Sequence, residues 1–224
     1  YYAVNTGRRR GVFETWEECK DQVYQFKGAK YRKFDNSYDA HVYAYGRLGA
    51  AVDFCSSLPA YAQPKTFAIY TDGASRGNQN QDRAIAGYGV FFGDGDKRNV
   101  AEPLIGSSQT NQRAELTAID VALKTIIRRT DYDCRYVIRT DSQYAIDCLT
   151  KWNTNWERKG WLNEQGQAVA NQDIIRRTLR NLNTINEVYR SKGWLPIAFE
   201  KVEAHSGDHG NNMADRLANF GCDQ

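Results

Sequence analysis

The sequence predicts an α/β domain built on a mixed five-stranded sheet flanked by helices, with a small α+β unit ahead of it. Three observations lead there. Beyond residue 65 five short runs alternate apolar and polar residues at strand period, and the later runs are separated by apolar stripes at helical period. The first three runs follow one another through glycine-bearing turns, which favours hairpins, whereas the helices between the later runs allow parallel crossovers. Residues 46–65 carry Gly46, Gly49, Pro59 and Pro64 among many small side chains, the composition of a connector.

In the first unit, residues 1–45, positions 1–4 read as a strand, Gly7 with Arg8, Arg9 and Arg10 as a turn, and 11–13 as the start of a second strand. Thr15 stands where a helix cap belongs, because Glu17 and Glu18 follow it in a capping-box arrangement with acids at the positive end. Val23 and Phe26 are expected on that helix's inner face. Residues 29–34 return as a third strand, and 37–45 form a second helix with Ala40, Tyr43 and Ala44 at helical spacing.

In the second unit, residues 66–224, strands are expected at 66–72, 85–92, 100–105, 136–141 and 196–202. A helix opening at Asn111 carries Leu116, Ile119, Leu123, Ile126 and Ile127 on a buried stripe. Further helices are expected at 142–152, at 173–182 with Ile174, Ile175, Leu179 and Leu182 inward, and at 212–220. The resulting order is β-β-β-α-β-α-α-β-α.

Composition narrows the function classes. Apolar residues at 41% and charged residues at 25% describe an ordinary folded chain, not a disordered one. No stretch approaches the length of a membrane span. The cysteines Cys19, Cys55, Cys134, Cys148 and Cys222 are odd in number and form no close pair, which speaks against a disulfide framework or a zinc ribbon and fits a reducing compartment. A formal charge of +3 is modest, but the basic residues are segregated: Arg8 to Arg10 run together and Lys30, Arg32 and Lys33 lie close by.

The residues that can carry chemistry are acids. Asp72 falls at the end of the first strand of the second unit and Asp141 at the end of the fourth, both before turns. Glu115 lies in the first turns of its helix next to apolar Leu116, and Asp215 lies between Ala214 and Leu217 in the last helix. Carboxylates gathered in one place repel, and a divalent cation is the natural remedy. Hard oxygen donors suit Mg²⁺ or Mn²⁺, and two such ions can activate a water and stabilise a leaving 3′ oxygen in phosphodiester cleavage. His205 and His209 flank Ser206-Gly207-Asp208 in a loop before that helix, where an imidazole can shuttle a proton. His41 reads as a packing or surface residue. Aromatic and basic residues interleave at Trp16, Tyr31, Arg32 and Lys33, and again at Tyr144, Trp152, Trp156, Arg158, Lys159 and Trp161, a pattern that suits bases, sugars and phosphates.

These residues occur in ordered blocks. Tyr70-Thr-Asp-Gly-Ala-Ser75, Gln109-Thr-Asn-Gln-Arg-Ala-Glu115, Thr140-Asp-Ser142, His205-Ser-Gly207 and Gly210-Asn-Asn-Met-Ala-Asp-Arg216 give the second unit its resemblance to the eukaryotic type 1 ribonuclease H family. The first unit resembles that family's hybrid-binding domain through Tyr2-Ala-Val4, Gly11-Val-Phe13, Thr15-Trp16, Glu18-Cys19 and Lys30-Tyr-Arg-Lys-Phe34.

The resemblance implies a ribonuclease H fold and an endonuclease that hydrolyses the RNA strand of RNA/DNA hybrids by two-metal-ion catalysis. It would act independently of base sequence and leave 5′-phosphate and 3′-hydroxyl ends. Asp72, Glu115, Asp141 and Asp215 match the metal-binding acids, for two Mg²⁺ ions in the substrate complex with Mn²⁺ as a substitute, and His205 matches a loop histidine that aids proton transfer or product release. Asn111 and Gln112 match minor-groove contacts, Thr110 and Asn171 a pocket for a DNA-strand phosphate, and Tyr144 and Trp152 an aromatic channel beside the DNA sugars. Ser142 lies in a matching block and is expected beside the nucleic acid. In the small domain Tyr2, Trp16, Tyr31, Arg32 and Lys33 match the hybrid-contacting surface, with double-stranded RNA as a second partner. The implied protein is an intracellular monomer, nuclear or mitochondrial, with no membrane association. Two positions depart from the family: Ser108 stands where animal members often place arginine, and Met213 where an acid is common. A DNA-cutting nuclease or transposase of the same fold, a non-catalytic hybrid-binding module and a reverse-transcriptase fragment are the alternatives, separated by cleavage assays on hybrid, duplex DNA and duplex RNA.

Overall fold

A computed structural model describes residues 1–35, 40, 43–44, 64–77, 84–203 and 207–224. The chain divides into two compact units, Tyr1–Gln63 and Pro64–Gln224. The expected connector at 46–65, apart from Pro64 and Lys65, lies outside the described residues, as do His41, Cys55 and His205. The other four cysteines, Cys19, Cys134, Cys148 and Cys222, are free thiols. Among the described residues no helix is long and apolar enough to cross a membrane.

In the first unit β1 (Tyr2–Thr6) lies between β2 (Gly11–Phe13) and β3 (Lys30–Lys33), antiparallel to both. Helix α1 (Trp16–Val23) starts with the expected capping box: the Glu18 amide donates to Thr15 Oγ1 at 3.3 Å, and the Thr15 amide donates to the Glu18 carboxylate at 3.2 Å. The helix buries Cys19 and Val23 against Val4 and Phe13. The expected inner-face Phe26 is not part of it. The chain leaves helical geometry at Tyr24, so Cys19, four residues before Val23, takes the inner position instead. On the opposite side of the sheet Ala40 and Ala44 pack with Ala3. The remainder of the helix expected at 37–45 lies outside the described residues, Tyr43 excepted.

The second unit is a five-stranded sheet in the order β6-β5-β4-β7-β8, comprising β4 (Thr66–Arg76), β5 (Ile85–Phe91), β6 (Val100–Pro103), β7 (Arg135–Thr140) and β8 (Ala198–Lys201). β4, β5 and β6 are antiparallel neighbours, while β7 and β8 continue the sheet in parallel. The first strand is longer than expected. It runs through Asp72 and Gly73 because β5 pairs it as far as Arg76, whereas β7 pairs it only from Thr66 to Tyr70. Asp72 therefore sits inside the strand, just past the point where its parallel neighbour stops. β6 ends early at Pro103, which has no amide to donate, and leaves Ile105 90% exposed.

Helix α2 (Asn111–Arg129) is capped by Thr110 and buries Leu116, Ile119, Leu123 and Ile126, with Ile127 only partly covered. The helix expected at 142–152 continues farther: α3 (Gln143–Asp147) passes through a π-helical turn at Cys148–Trp152 into α4 (Asn153–Arg158). α5 (Gln172–Ser191) extends nine residues past the expected end at Leu182, because Ile185 and Tyr189 carry its buried stripe onward. Asp120, fully buried on α2, accepts from Arg177 at 2.9 Å and Asn181 at 2.8 Å, which ties α2 to α5. α6 (His209–Cys222) begins three residues earlier than expected, since Asp208 caps it by accepting from the Asn211 amide at 3.1 Å. His209 is thus helical and not part of a loop.

Candidate active site

The strand ladders place the acids. Tyr70 on β4 pairs with Arg139 on β7, and Asp72 and Asp141 each follow that pair by two residues. Strand alternation puts Asp72 on the Tyr70 face, and Asp141, the first residue after β7, comes close enough to be the charge that acts most on Asp72. Among the described residues no further strand fills that position.

Two glycines bring the helices in. Gly89 lies opposite Asp72 on β5, and a Cβ there would stand 2.6 Å from the Ala218 amide nitrogen and overlap the Ala214 carbonyl oxygen. The backbone of α6 can rest on the sheet only because that side chain is missing, and the approach places Asp215 beside the Asp72 face. On the other face a Cβ at Gly73 would stand 2.7 Å from the Ala114 carbonyl carbon and overlap the Glu115 amide nitrogen. Glu115 is thereby held against β4. Its carboxylate accepts from Asn111 Nδ2 at 2.8 Å and from the Ser142 hydroxyl. Ser142, which also caps α3, directly follows Asp141, so this contact ties Glu115 to the Asp141 corner.

The electrostatics follow from crowding. Asp72 is 8% exposed, and its carboxyl is pushed up to about 8, first by burial and then by Asp141, Asp215 and Glu115; the Gly73 amide, donating at 2.7 Å, pulls the other way. Glu115 is raised by burial and by Asp141, while donation from Ser142 and Asn111 opposes the rise. Among the described residues no three such side chains close into a finished ligand cage. The four carboxylates offer hard oxygen donors of the kind that suits a divalent cation, and the crowding that raises Asp72 and Glu115 is what such an ion relieves.

The expected nucleic-acid residues gather in two places on this unit. Thr110 caps α2 and accepts from the Arg113 amide at 3.3 Å, while Gln112 beside it is exposed. Asn171 precedes α5 with a left-handed backbone, φ 58, donates to the Tyr144 hydroxyl at 3.3 Å and accepts from Arg113 at 3.4 Å. Arg113 also pairs with Asp173. It supplies a cation beside Thr110 and Asn171, where Ser108 has none. From Tyr144 the rings run on to Trp152 at 6.1 Å, Trp156 at 5.7 Å and Trp161 at 6.1 Å, centroid to centroid. Trp152 is 40% exposed, whereas Trp161 belongs to the core.

In the small unit Trp16 stands between Tyr2 at 5.6 Å and Tyr31 at 5.7 Å, and the Lys33 ammonium lies 5.7 Å from the Tyr2 ring centre. Arg32 does not join them. It pairs with Ala3 and lies over Phe34 at 5.4 Å on the opposite face, because neighbouring strand residues point to opposite sides. Gly73, Gly89 and Arg113 were not among the expected site residues. A glycine inside a strand pattern was the available signal for Gly89, whereas Gly73 stood just past the expected strand, where a glycine reads as a turn.

Comparison with known proteins gives the family of both units. Residues 64–223 match the family model described as RNase H, and residues 1–44 match the one described as Ribonuclease H1 N-terminal domain. The chain is 32% identical over 275 residues to a Ribonuclease H of Schizosaccharomyces pombe, covering 100% of this chain and 97% of that protein. It is 30% identical over 272 residues to Ribonuclease H1 of Mus musculus, covering 100% and 90%. In fold it resembles the solution structure of the PFV RNase H domain, with a TM-score of 0.53 at 20% identity over 73% of this chain and 98% of that one. It also resembles LC9-RNase H1, with a TM-score of 0.52 at 24% identity over 74% of each chain.

Proposed function

Because the chain belongs to the ribonuclease H family and is an enzyme that hydrolyses the RNA strand of RNA/DNA hybrids, we propose that Asp72, Glu115, Asp141 and Asp215 carry its chemistry as ligands for two Mg²⁺ ions. Mn²⁺ is the expected substitute. The observation that carries the proposal is the Asp72 carboxyl, held buried among the three other acids and pushed up to about 8. When bound, the divalent ions supply the positive charge that readies a water and steadies the leaving 3′ oxygen.

The remaining roles belong to the chain's own groups. Asn111, fixed on the Glu115 carboxylate, and exposed Gln112 face the minor groove, where the 2′-hydroxyls of the RNA strand distinguish it from DNA. Thr110 and Asn171, with Arg113 as their cation, grip a phosphate of the DNA strand, and Tyr144 and Trp152 lie along its sugars. Ser142 holds the Glu115 carboxylate next to that track. His205 assists proton transfer or product release. In the small domain Tyr2, Trp16, Tyr31 and Lys33 form the hybrid-binding face, and Arg32 acts from the opposite face; double-stranded RNA is its second partner. The protein works as a monomer in the nucleus or the mitochondrion. The deciding experiment is Mg²⁺-dependent cleavage of one hybrid labelled separately on each strand, with duplex DNA and duplex RNA as controls. Cutting confined to the RNA strand is expected, and equal cutting of duplex DNA would overturn the reading.

The small-domain face makes its own prediction. Trp16→Ala with Lys33→Ala should weaken binding of long hybrids by about 10-fold or more and flatten the salt dependence by about one unit, since one stacking ring and one phosphate contact are lost. The kcat on a hybrid too short to reach both domains should stay within about twofold, because the avidity of a tethered second site is lost on such a substrate. Filter binding of a long hybrid at two salt concentrations checks the first statement, and multiple-turnover cleavage of a short hybrid checks the second.

A further inference from the structure

The row of side chains one pleat back from the acids holds the start of α6. Tyr70 pairs with Phe91 on one side and Arg139 on the other, and Arg139 pairs with Glu200, so the four form one cross-sheet row on the Asp72 face. Arg139 donates to the Tyr70 hydroxyl at 2.8 Å and to Glu200 at 2.8 Å, with its guanidinium 5.6 Å from the Tyr70 ring centre.

Three consecutive residues at the head of α6 meet this row. One carboxylate oxygen of Asp208 lies 3.4 Å from the Tyr70 hydroxyl while the other caps the helix. His209 meets Phe91 edge-on at 5.9 Å between ring centres. Gly210 rests on the face of Tyr70, where a Cβ would overlap the ring carbons Cδ2, Cε2 and Cζ. Asp215 is carried on the same helix, five residues beyond Gly210, about one and a half turns farther along. An α-helix passes a displacement of its first turn along its axis, and a misplacement of about 1 Å at a reacting centre can cost about 10²-fold in rate.

We propose that Tyr70, oriented by Arg139, is a positioning residue that seats the first turn of α6 and thereby sets Asp215 against Asp72. The inference rests on the reading of Asp215 as a cation ligand, and its test separates the two. In the full chain, Tyr70→Phe keeps the ring under Gly210 and removes the hydroxyl between Arg139 and Asp208, while Gly210→Ala keeps the hydroxyl and forces the helix off the ring. The measurements are calorimetric titration with Mn²⁺ alone, amide hydrogen exchange at Asn211 and Asn212, whose amides bond to Asp208, in cation-free protein, and kcat and KM on a hybrid.

Tyr70→Phe should weaken Mn²⁺ binding about threefold, speed exchange in the first turn about tenfold and lower kcat about tenfold with KM within twofold. Gly210→Ala should change all three in the same direction and by more, although alanine is by itself the better helix former. Wild-type Mn²⁺ affinity and exchange in Tyr70→Phe would overturn the proposal even if kcat fell. If the wild-type protein failed to cut hybrid, the assigned activity would fail, while titration and exchange would still decide on Tyr70.

Discussion

Asp72→Asn is expected to lower hybrid cleavage by about 10³-fold or more while leaving hybrid affinity within a few-fold, because it removes a charged ligand but little of the nucleic-acid surface. The same change should stabilise the cation-free protein. The folded-state carboxyl titrates at about 8, above its ordinary value, so between roughly pH 4 and pH 8 the folded chain holds a proton that the unfolded chain has released. Stability from this group is therefore lost as pH rises through that window. Asparagine removes the loss, which a rise from the ordinary value to about 8 limits to about 5–6 kcal/mol above pH 8. Cation binding must displace the same proton, so Mg²⁺ affinity of the wild-type protein should rise with pH over the same window and depend less on pH in the variant. Thermal melts from pH 5 to 9 with chelator and with Mg²⁺, paired with single-turnover cleavage, test every part. Near-normal turnover at ordinary Mg²⁺ by both Asp72→Asn and Asp141→Asn would remove the acids from the reaction.

Gly89→Ala is the second large effect. On strand preference alone alanine should gain about 0.5–1 kcal/mol over glycine. The structure reverses the sign, since the new methyl group would meet the Ala218 amide nitrogen at 2.6 Å, and backbone at both ends of the contact leaves no flexible side chain to yield. Overpacking of this kind costs about 1–3 kcal/mol. Because the displaced segment carries Asp215, cleavage should fall by about 10²-fold even under conditions where the variant is fully folded. Urea unfolding together with cleavage at low temperature separates the two losses. A variant as stable and as active as wild type would show that α6 does not rest on Gly89.

Much of this was legible in the linear chain. The Thr15 cap with Glu18, the stripe from Leu116 to Ile126 and the alternation around Ile69 are local patterns, and local patterns are what hydrophobic periodicity and capping report. Element ends were less legible. The strand through Asp72 looked finished at Gly73, and the helix from Asp173 looked finished at Leu182, because a glycine or a polar stretch reads as a stop. In the folded chain β5 keeps pairing to Arg76, and Ile185 and Tyr189 keep packing. The head of α6 was read three residues late because Asp208 caps it just after the histidine-bearing segment.

What the sequence by itself determined was the order of the elements and which acidic and aromatic side chains they carry, set by residue type and short-range spacing; the roles expected of those side chains came from the family resemblance. The tertiary structure decided which of these meet. Register sends Tyr2 and Lys33 to one face and Arg32 to the other, and a shift of one residue would reverse that choice. Long-range contact places Gly89 under α6 and Gly73 against Glu115, and so gathers residues as far apart in the chain as Asp72 and Asp215. The physical reason is range. Helical and strand periods are properties of a few neighbouring residues, whereas the repulsion that raises Asp72 exists only once distant segments have packed.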